Sequence, residues 1–280
     1  MYVFLFLLSM PLQAQSVTDI RSKLSAGDLI SADAVATDLC AAKPNTTECA
    51  AAQSWLARGA FMLGDHKATA SYIAETKRLL GVATTEDANR TAARGAVIET
   101  EARLLAAKGK KNEALRLLQD ELRKATDYGL QARIQKTINA LTLTGKRAPR
   151  YDASLQGKPT LLFLWAHWCG DCRAQIKALG EFHKKHGDRV RIVAPTRRYQ
   201  RVPGIDKPTD QQENEHIVKV WRESYAPLAG IDHPIDNDTM LAYGVSSTPT
   251  FAYIDAKGIV RYYGSSRMSL AQLEKLLEKK

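Results

Sequence analysis

The stretch TLLFLWAHWCGDC, residues 160–172, decides the fold of the C-terminal half of this 280-residue chain. Its first seven residues form an almost continuous apolar run of strand length, which is typical of a strand buried on both faces of a sheet. Two cysteines, Cys169 and Cys172, follow this run, and an amphipathic helix is expected over residues 173–186. A buried strand that leads directly into a helix indicates an α/β domain. The sequence therefore predicts that the two cysteines lie where this helix begins.

The rest of the C-terminal half alternates between strands and helices. The spacing of apolar residues predicts, in chain order, a strand over 190–193, a helix over 211–225, strands over 250–254 and 259–263, and a helix over 270–277. Residues 255–258 contain a glycine and predict a hairpin loop between the last two strands. This order of elements predicts a mixed sheet covered by helices on both faces, in an α/β domain that spans residues 151–280.

The N-terminal half has a different composition. Residues 17–143 are rich in Ala, Leu, Lys, Glu and Arg, and their apolar residues recur at helical spacing, which predicts an all-helical domain of antiparallel hairpins. The polar segment 144–150, which contains a glycine and a proline, is predicted to be the linker between the two domains. Residues 109–115 weakly resemble the turn and second helix of a tetratricopeptide repeat, and a generic helical bundle is the alternative.

The first residues of the chain, 1–15, predict export. Residues 2–10 are largely apolar, Pro11 interrupts them, and Ala14 offers a small residue at a cleavage point, as in a signal peptide. No Lys or Arg precedes the apolar run, so either the N-terminal amine is its only positive charge or the true start lies upstream. A buried N-terminal helix or strand is the alternative. We expect an exported chain, in the bacterial periplasm, with no integral membrane segment in its mature part.

Four cysteines form two pairs. An exported protein meets an oxidising compartment, so Cys40 and Cys49, which flank a short loop, are predicted to form a structural disulfide. Cys169 and Cys172 have the C-x-x-C spacing that lets two sulfur atoms meet across the first turn of a helix. Unpaired N–H groups at the helix N-terminus favour a thiolate at Cys169. This predicts Cys169 as the nucleophile of disulfide exchange and Cys172 as the more buried, resolving thiol.

Two other roles for the C-x-x-C pair are a structural disulfide and half of a zinc site. A zinc site needs two further ligands, and the sequence has no second C-x-x-C or C-x-x-H pair. We therefore predict no metal and no cofactor.

The sequence around the cysteines resembles a known family. Residues 165–172, WAHWCGDC, are similar to the active-site signature of the thioredoxin superfamily, and residues 243–250, YGVSSTPT, with 255–258, DAKG, resemble the second half of that fold. Residues 148–151, APRY, and an extra helical segment before the second block make the exported TlpA/ResA-like branch the closer likeness. The resemblance covers about residues 146–280.

The resemblance implies a function and several residue roles. It implies a thiol–disulfide oxidoreductase whose partner is a dithiol or disulfide in another protein. It also implies a cis peptide bond before Pro249, with Thr248 offering backbone hydrogen bonds to an extended substrate segment. Trp168 and Gly170, beside the nucleophile, are predicted to line the substrate groove or to tune the pair.

Departures from the family's pattern bear on how the pair is tuned. Asp171 places a carboxylate where relatives usually have proline or another residue without negative charge. Like-charge repulsion disfavours the thiolate and shifts the couple towards the reducing side, so we predict a reductant. The alternative is that Asp171 points to solvent and has little effect. The acids that relatives carry near the second cysteine are replaced by Phe163 and Gln175, so either Asp171 substitutes for them or exchange is slow. His167 is expected to be exposed, with a proton relay as the alternative.

The basic charge does not indicate nucleic-acid binding. The formal net charge is +10, but the cations are scattered, most lie beside acids, and no nucleic-acid motif is present. A function of another class stays open as the alternative: a helical scaffold or peptide-binding protein in which the C-x-x-C disulfide is structural or vestigial.

Overall fold

The computed structural model describes residues 16–150 and 157–279. The predicted signal peptide, residues 1–15, lies outside these residues. The chain divides into two compact units, Met1–Leu104 and Leu105–Lys280. Among the helices described, none is both long and apolar enough to cross a membrane.

The unit Met1–Leu104 is built from helices whose first turns are capped by side chains. Its helices are α1 (Val17–Ser25), α2 (Leu29–Ala42), α3 (Thr47–Met62), α4 (His66–Val82) and most of α5 (Ala88–Ala107). The side chains of Asp28, Thr46 and Asp65 accept hydrogen bonds from N–H groups in the first turns of α2, α3 and α4. These bonds satisfy donors that a helix N-terminus leaves unpaired. The N-terminal region is therefore helical, as the sequence indicated, while the tetratricopeptide-like repeat stays a prediction.

A disulfide joins the second and third helices of this unit. Cys40 lies near the end of α2 and Cys49 lies in the first turn of α3, with their Cα atoms 5.1 Å apart. Cys49 is buried in a core that also contains Leu39 and Leu56.

The unit Leu105–Lys280 contains two more helices and the predicted α/β domain. In chain order its elements are α6 (Lys111–Lys124), α7 (Tyr128–Thr142), β1 (Thr160–Leu164), α8 (Gly170–His186), β2 (Arg191–Val193), α9 (Asp210–Ser224), α10 (Asn237–Ala242), β3 (Thr250–Ile254), β4 (Val260–Gly264) and α11 (Leu270–Glu274). The strands lie in the order β2–β1–β3–β4, with β1 parallel to β2 and antiparallel to β3, and with β3 antiparallel to β4. The sheet is mixed, which confirms the fold class expected from the sequence.

Apolar side chains cover both faces of the sheet. Successive residues of β1 point to opposite faces. Leu161 and Phe163 belong to a core shared with α8 and α9, whereas Leu162 and Leu164 belong to a core shared with α10 and the end of α7. All residues of β1 are buried, and β1 lies between β2 and β3 in the sheet. The cysteine segment therefore follows directly from an internal strand.

Residues 144–150, the predicted linker, are hydrogen-bonded to the sheet. The N–H of Gly145 donates to the Val260 carbonyl oxygen at 2.8 Å, at the start of β4. In α7, Asn139 Nδ2 donates to the Ala242 carbonyl oxygen at 2.9 Å. Helices α6 and α7 therefore belong to the same compact unit as the sheet, and the units divide ahead of α6 rather than at this segment. The domain limits expected from the sequence stay a prediction.

Candidate active site

The C-x-x-C pair lies at the N-terminal end of α8. Cys169 is the N-cap residue, Cys172 lies in the first turn, and a disulfide joins them, with Cα atoms 5.2 Å apart. The N–H of Cys172 donates a hydrogen bond of 3.0 Å to Cys169 Sγ, so a donor that the helix leaves unpaired is directed at the first sulfur. Cys172 is fully buried, whereas Cys169 is 4% exposed. Of the two, Cys169 is the one that an incoming sulfur atom can reach.

A loop from far along the chain meets the pair. The Thr248–Pro249 peptide bond is cis, and the Thr248 carbonyl oxygen lies 3.5 Å from Cys169 Sγ. The Thr250 hydroxyl donates to the Ser247 carbonyl oxygen at 2.7 Å, which holds this loop at the start of β3. The structure thus brings together the loop and the cysteine that the sequence singled out separately.

The other residues singled out around the pair lie at the surface. Trp168 is 41% exposed, and its ring meets that of Tyr199 edge to face, with centroids 5.3 Å apart. Gly170 is exposed and has open space where a side chain would stand. Asp171 is also exposed, and its Oδ1 lies 3.5 Å from Nε of Arg267. An exposed carboxylate with a cation beside it acts only weakly on a neighbouring sulfur, because water and the cation screen its charge.

An aromatic ring and an amide occupy the two positions where the resemblance stated above implied acids. Phe163 is fully buried, and its ring packs against those of Tyr225 and Phe251. Gln175 is buried and bonds the backbone of Met268 twice: Nε2 donates to the carbonyl oxygen at 2.8 Å, and Oε1 accepts from the N–H at 2.7 Å. Gln175 therefore ties the segment before α11 to α8. Neither side chain can take up a proton at neutral pH.

The expectation that His167 is exposed is wrong. Its side chain is 1% exposed, and its Nε2 lies 3.0 Å from Oε1 of Glu213, which is equally buried. Glu213 Oε1 also accepts from the N–H of Tyr199 at 2.6 Å, and its Oε2 accepts from the N–H of Gln200 at 2.7 Å. One carboxylate thus holds the loop after β2 against the residue that lies two positions before Cys169.

The protonation states of this pair follow from burial and hydrogen bonding. Burial disfavours the imidazolium and lowers the pKa of His167, although the hydrogen bond to Glu213 opposes this shift. Burial also opposes ionisation of Glu213, but hydrogen bonds from backbone N–H groups and from His167 outweigh it and hold the pKa of Glu213 below its usual range. At neutral pH, a neutral His167 therefore donates from Nε2 to an ionised Glu213.

The sequence contained one signal for Glu213. It lies four and eight residues before Ile217 and Trp221, and all three side chains are on the buried face of α9. A glutamate on the apolar stripe of a helix needs a partner inside the protein. The partner itself, His167, could not be identified without the fold.

A basic cavity of about 250 Å³ opens beside Trp168. Its lining includes His167, Arg173, Arg201 and His216, and no carboxylate of the described residues lines it. The rings of His216 and His167 meet edge to face with centroids 5.1 Å apart, and the Arg201 guanidinium lies 5.6 Å from the centroid of the Trp168 ring. The cavity therefore places positive charge beside Trp168, the residue that precedes Cys169 in the chain.

The described part of the chain offers no evident metal site. No group of three or more His, Cys, Asp or Glu side chains within it is placed to hold a metal ion.

Comparison with known proteins gives one family for the C-terminal half. Residues 151–280 match the family described as a thioredoxin-like domain. The thioredoxin-like protein YneN of Bacillus subtilis is 27% identical over 140 residues, which cover 49% of this chain and 72% of YneN. The thiol:disulfide interchange protein DsbE of Escherichia coli is 32% identical over 113 residues, which cover 40% of this chain and 51% of DsbE. The chain thus spans about half the length of this DsbE.

Solved structures that are similar to this chain match a little less than half of it. StoA from Bacillus subtilis is 22% identical, with a TM-score of 0.34, and the match covers 46% of this chain and 87% of StoA. A secreted disulfide oxidoreductase of Mycobacterium tuberculosis, homologous to the Escherichia coli DsbE, is also 22% identical, with a TM-score of 0.34. The match covers 46% of this chain and 87% of that protein.

Proposed function

From the match of residues 151–280 to the family described as a thioredoxin-like domain, we propose that the chain is an exported protein thiol–disulfide oxidoreductase that works as a reductant. Its substrate is a disulfide in another protein, and Cys169 and Cys172 carry the exchange. The observation that carries the exchange chemistry, as distinct from its direction, is the hydrogen bond from the Cys172 N–H to Cys169 Sγ at the start of α8. A helix donor directed at the more accessible sulfur stabilises its thiolate, which is the attacking species.

The exchange has two steps. The thiolate of reduced Cys169 attacks one sulfur of the substrate disulfide, a bond forms between these two sulfurs, and the other substrate sulfur leaves as a thiolate. Cys172 then loses its proton to solvent and attacks Cys169 Sγ. The substrate sulfur that was bonded to Cys169 leaves as a thiolate. Two electrons pass from the pair to the substrate, and the Cys169–Cys172 disulfide remains. A dithiol partner must reduce this disulfide before the next cycle.

Thr248 and Trp168 supply the substrate groove in this proposal. The Thr248 backbone lies next to Cys169 Sγ, where an extended substrate segment can hydrogen-bond to it as an added strand would. The exposed ring of Trp168 adds apolar surface beside the nucleophile. Gly170, which leaves open space at the pair, keeps the approach to Cys169 clear.

Asp171 supports the reductant assignment. Its carboxylate opposes a build-up of negative charge on the pair, which makes the disulfide harder to reduce and the dithiol a stronger reductant. The ion pair with Arg267 and the exposure of both side chains keep this effect small.

The N-terminal half supports export. The signal-like sequence of residues 1–15 and the Cys40–Cys49 disulfide both suit an oxidising compartment outside the cytoplasm, since structural disulfides persist there. Blocking free thiols in intact cells of the source organism, before lysis, tests this proposal. We expect Cys40 and Cys49 to be protected from the thiol reagent. Free thiols at both positions would overturn the assignment to an oxidising compartment.

Reduction of insulin disulfides tests the enzyme proposal. The wild-type chain, supplied with a small dithiol, is expected to reduce insulin, and Cys169→Ser is expected to fall to the uncatalysed background. The double variant Cys40→Ser/Cys49→Ser is the matched control, because it removes the same type of bond elsewhere, and it is expected to stay active. Full activity of Cys169→Ser would overturn the proposal.

Equilibration with glutathione tests the direction of electron flow. We expect a reduction potential nearer to the value of about −270 mV that is typical of thioredoxin than to the value of about −120 mV of a strong oxidase. A reduction potential of about −120 mV would overturn the reductant assignment and indicate that the chain oxidises its substrates.

A recess in the unit Met1–Leu104 favours a second candidate function, a scaffold that binds peptides. This recess of about 340 Å³ is lined by Trp55, whose ring centroid lies 4.7 Å from the Arg21 guanidinium and 4.6 Å from that of Arg58. Two cations over an aromatic ring suit an acidic, extended peptide. Tight binding of such a peptide, together with no electron exchange with any thiol, would favour the scaffold over the enzyme.

A further inference from the structure

The basic cavity beside Trp168 has no part in the exchange of disulfides described above. Arg173 lines it from the fourth residue of α8, near the positive end of the helix dipole, where a cation is unfavourable for the helix. Neither Arg173 nor Arg201 pairs with a carboxylate through its guanidinium within the ranges that the structure describes. Both charges therefore line the cavity without a carboxylate partner among the described residues.

A buried polar atom at this cavity also lacks a partner. His167 lines the cavity, its Nε2 is engaged by Glu213, and its Nδ1 has no hydrogen-bond partner among the described residues. A buried polar atom without a partner destabilises the folded state. Because Nε2 donates to Glu213, Nδ1 is an acceptor while the ring is neutral, and it can donate to an incoming acceptor only once the ring is protonated. His167 is only 2% exposed. Its unpartnered Nδ1 is an observation separate from the two arginines.

The charges select the kind of ligand. Arg173 and Arg201 contribute two permanent positive charges to the lining of the cavity. The carboxylate of Glu213, which contacts His167, already accepts hydrogen bonds from His167 and from the backbone of the loop after β2. The volume of about 250 Å³ is below the range of about 300–1,000 Å³ typical of pockets for drug-sized molecules, so it suits one side chain.

We propose that this cavity binds a carboxylate of the substrate, namely an Asp or Glu side chain close to the disulfide that Cys169 attacks. The inference rests on the proposed function. The bound carboxylate accepts charge-assisted hydrogen bonds from Arg173 and Arg201. When His167 takes up a proton from solvent, its Nδ1–H donates to the same carboxylate while its Nε2–H stays on Glu213. The cavity thereby sets which protein disulfides are presented to the nucleophile.

Two disulfide-bonded peptides that differ in one residue test this site. One carries Glu two positions from a cysteine, and the other carries Gln there. We expect the wild-type kcat/KM to be about tenfold higher for the Glu peptide, as one charge-assisted contact of moderate strength produces, with most of the difference in KM. The double variant Arg173→Gln/Arg201→Gln is expected to reduce both peptides with equal kcat/KM.

Two further variants control for position and for charge. Arg222→Gln makes the same change on an exposed residue of α9 outside the cavity, and it is expected to keep the tenfold preference. Arg201→Lys retains the charge and is expected to keep most of the preference. High salt is expected to lower the preference in every variant that shows it, because the contact is electrostatic.

The outcomes separate this inference from the proposed function. Reduction of both peptides by the wild-type chain at equal rates would overturn the carboxylate site and leave the enzyme proposal standing. Reduction of neither peptide, with no activity on insulin, would overturn the enzyme proposal. A higher kcat/KM for glutathione disulfide than for the Glu peptide would assign the cavity to a small acidic thiol and overturn its assignment to a protein side chain.

Discussion

The two disulfides of this chain have nearly the same span and different surroundings. Their Cα–Cα distances are 5.1 Å for Cys40–Cys49 and 5.2 Å for Cys169–Cys172. At the start of α3, the Thr46 hydroxyl accepts from the Cys49 N–H at 3.2 Å. At the start of α8, the sulfur of Cys169 itself accepts from the Cys172 N–H at 3.0 Å. The positive end of the helix therefore acts on a sulfur in one site and on a hydroxyl in the other.

The remaining cysteine of the N-terminal pair lies at the opposite end of a helix. Cys40 is in the last turn of α2, where the carbonyl groups disfavour a thiolate. Opening its bond leaves one half-buried sulfur and, at Cys49, one sulfur inside a packed core. Opening the Cys169–Cys172 bond leaves a stabilised thiolate beside the Thr248 loop. The difference teaches that the surroundings of the reduced sulfurs, more than the span of the bond, decide which disulfide can exchange.

The largest expected effect is a difference in the rate of reduction. With a limiting dithiol under native conditions, we expect Cys169–Cys172 to open about 100-fold faster than Cys40–Cys49, because its sulfur is accessible and its leaving thiolate is stabilised. Alkylation at intervals, followed by peptide mapping with mass spectrometry, measures both rates. Unfolding the chain in denaturant is the control, and the two rates should then converge. Equal rates in the folded chain would remove the distinction between the two sites.

The second expected effect concerns stability. Cys40→Ser/Cys49→Ser is expected to lower the free energy of unfolding by about 2–3 kcal/mol, since this bond closes a loop with a sequence separation of 9. Cys169→Ser/Cys172→Ser is expected to cost only about 1–2 kcal/mol, because its sequence separation is 3. Chemical denaturation measures both values. A larger loss for the C-x-x-C variant would assign that bond a structural role.

The same contrast explains what could be predicted from the sequence. The apolar run of β1 predicted a central strand because a strand buried on both faces needs no polar alternation, and β3 has the predicted limits of 250–254. The cysteine pair is recognised from its own short C-x-x-C spacing. The Thr248 loop is recognised because it comes directly before the predicted strand β3. These parts of the fold and the site were therefore accessible to sequence reasoning.

Other parts depend on contacts that composition does not record. His167 and Glu213 are 46 residues apart, and glutamate is of a type that usually lies at the surface, so only the fold shows that the two side chains meet. Residues 144–150 look like a linker because they are polar, yet their backbone bonds the edge of the sheet at β4. Hydrogen bonding by the backbone is nearly independent of residue type, and a polar composition therefore does not exclude it.

The third expected effect is a dependence of stability on pH that arises beside Cys169. Burial lowers the pKa of His167, so the folded chain binds this proton less readily than the unfolded chain. The stability it contributes is fully present above the unfolded pKa of about 6.5 and is lost as the pH falls below that value through the folded pKa. His167→Gln is expected to flatten the change in denaturation midpoint between about pH 7.5 and pH 5.5.

Glu213 does not obscure this pH measurement. Its pKa is lowered, so it stays ionised across the range and contributes to the slope only at more acidic pH. His66→Gln makes the same substitution at a half-buried histidine on α4 of the other unit and is the matched control. If His66→Gln flattened the slope and His167→Gln did not, the buried pair would not be its source.

The smallest expected effect separates charge from position beside the exchanging pair. Asp171→Asn is expected to favour the reduced form in a glutathione buffer by about two- to fivefold, because it removes a negative charge near the thiolate while solvent screens much of that charge. Arg267→Gln is expected to favour the disulfide by a smaller factor, since Asp171 then loses the cation 3.5 Å away. Alkylation of samples equilibrated over a range of glutathione ratios gives both shifts, with Arg222→Gln as the control for loss of a distant charge. Shifts of opposite sign would attribute the reducing character to the charge of Asp171, whereas shifts of the same sign would mean that this residue acts through the shape of the first helical turn.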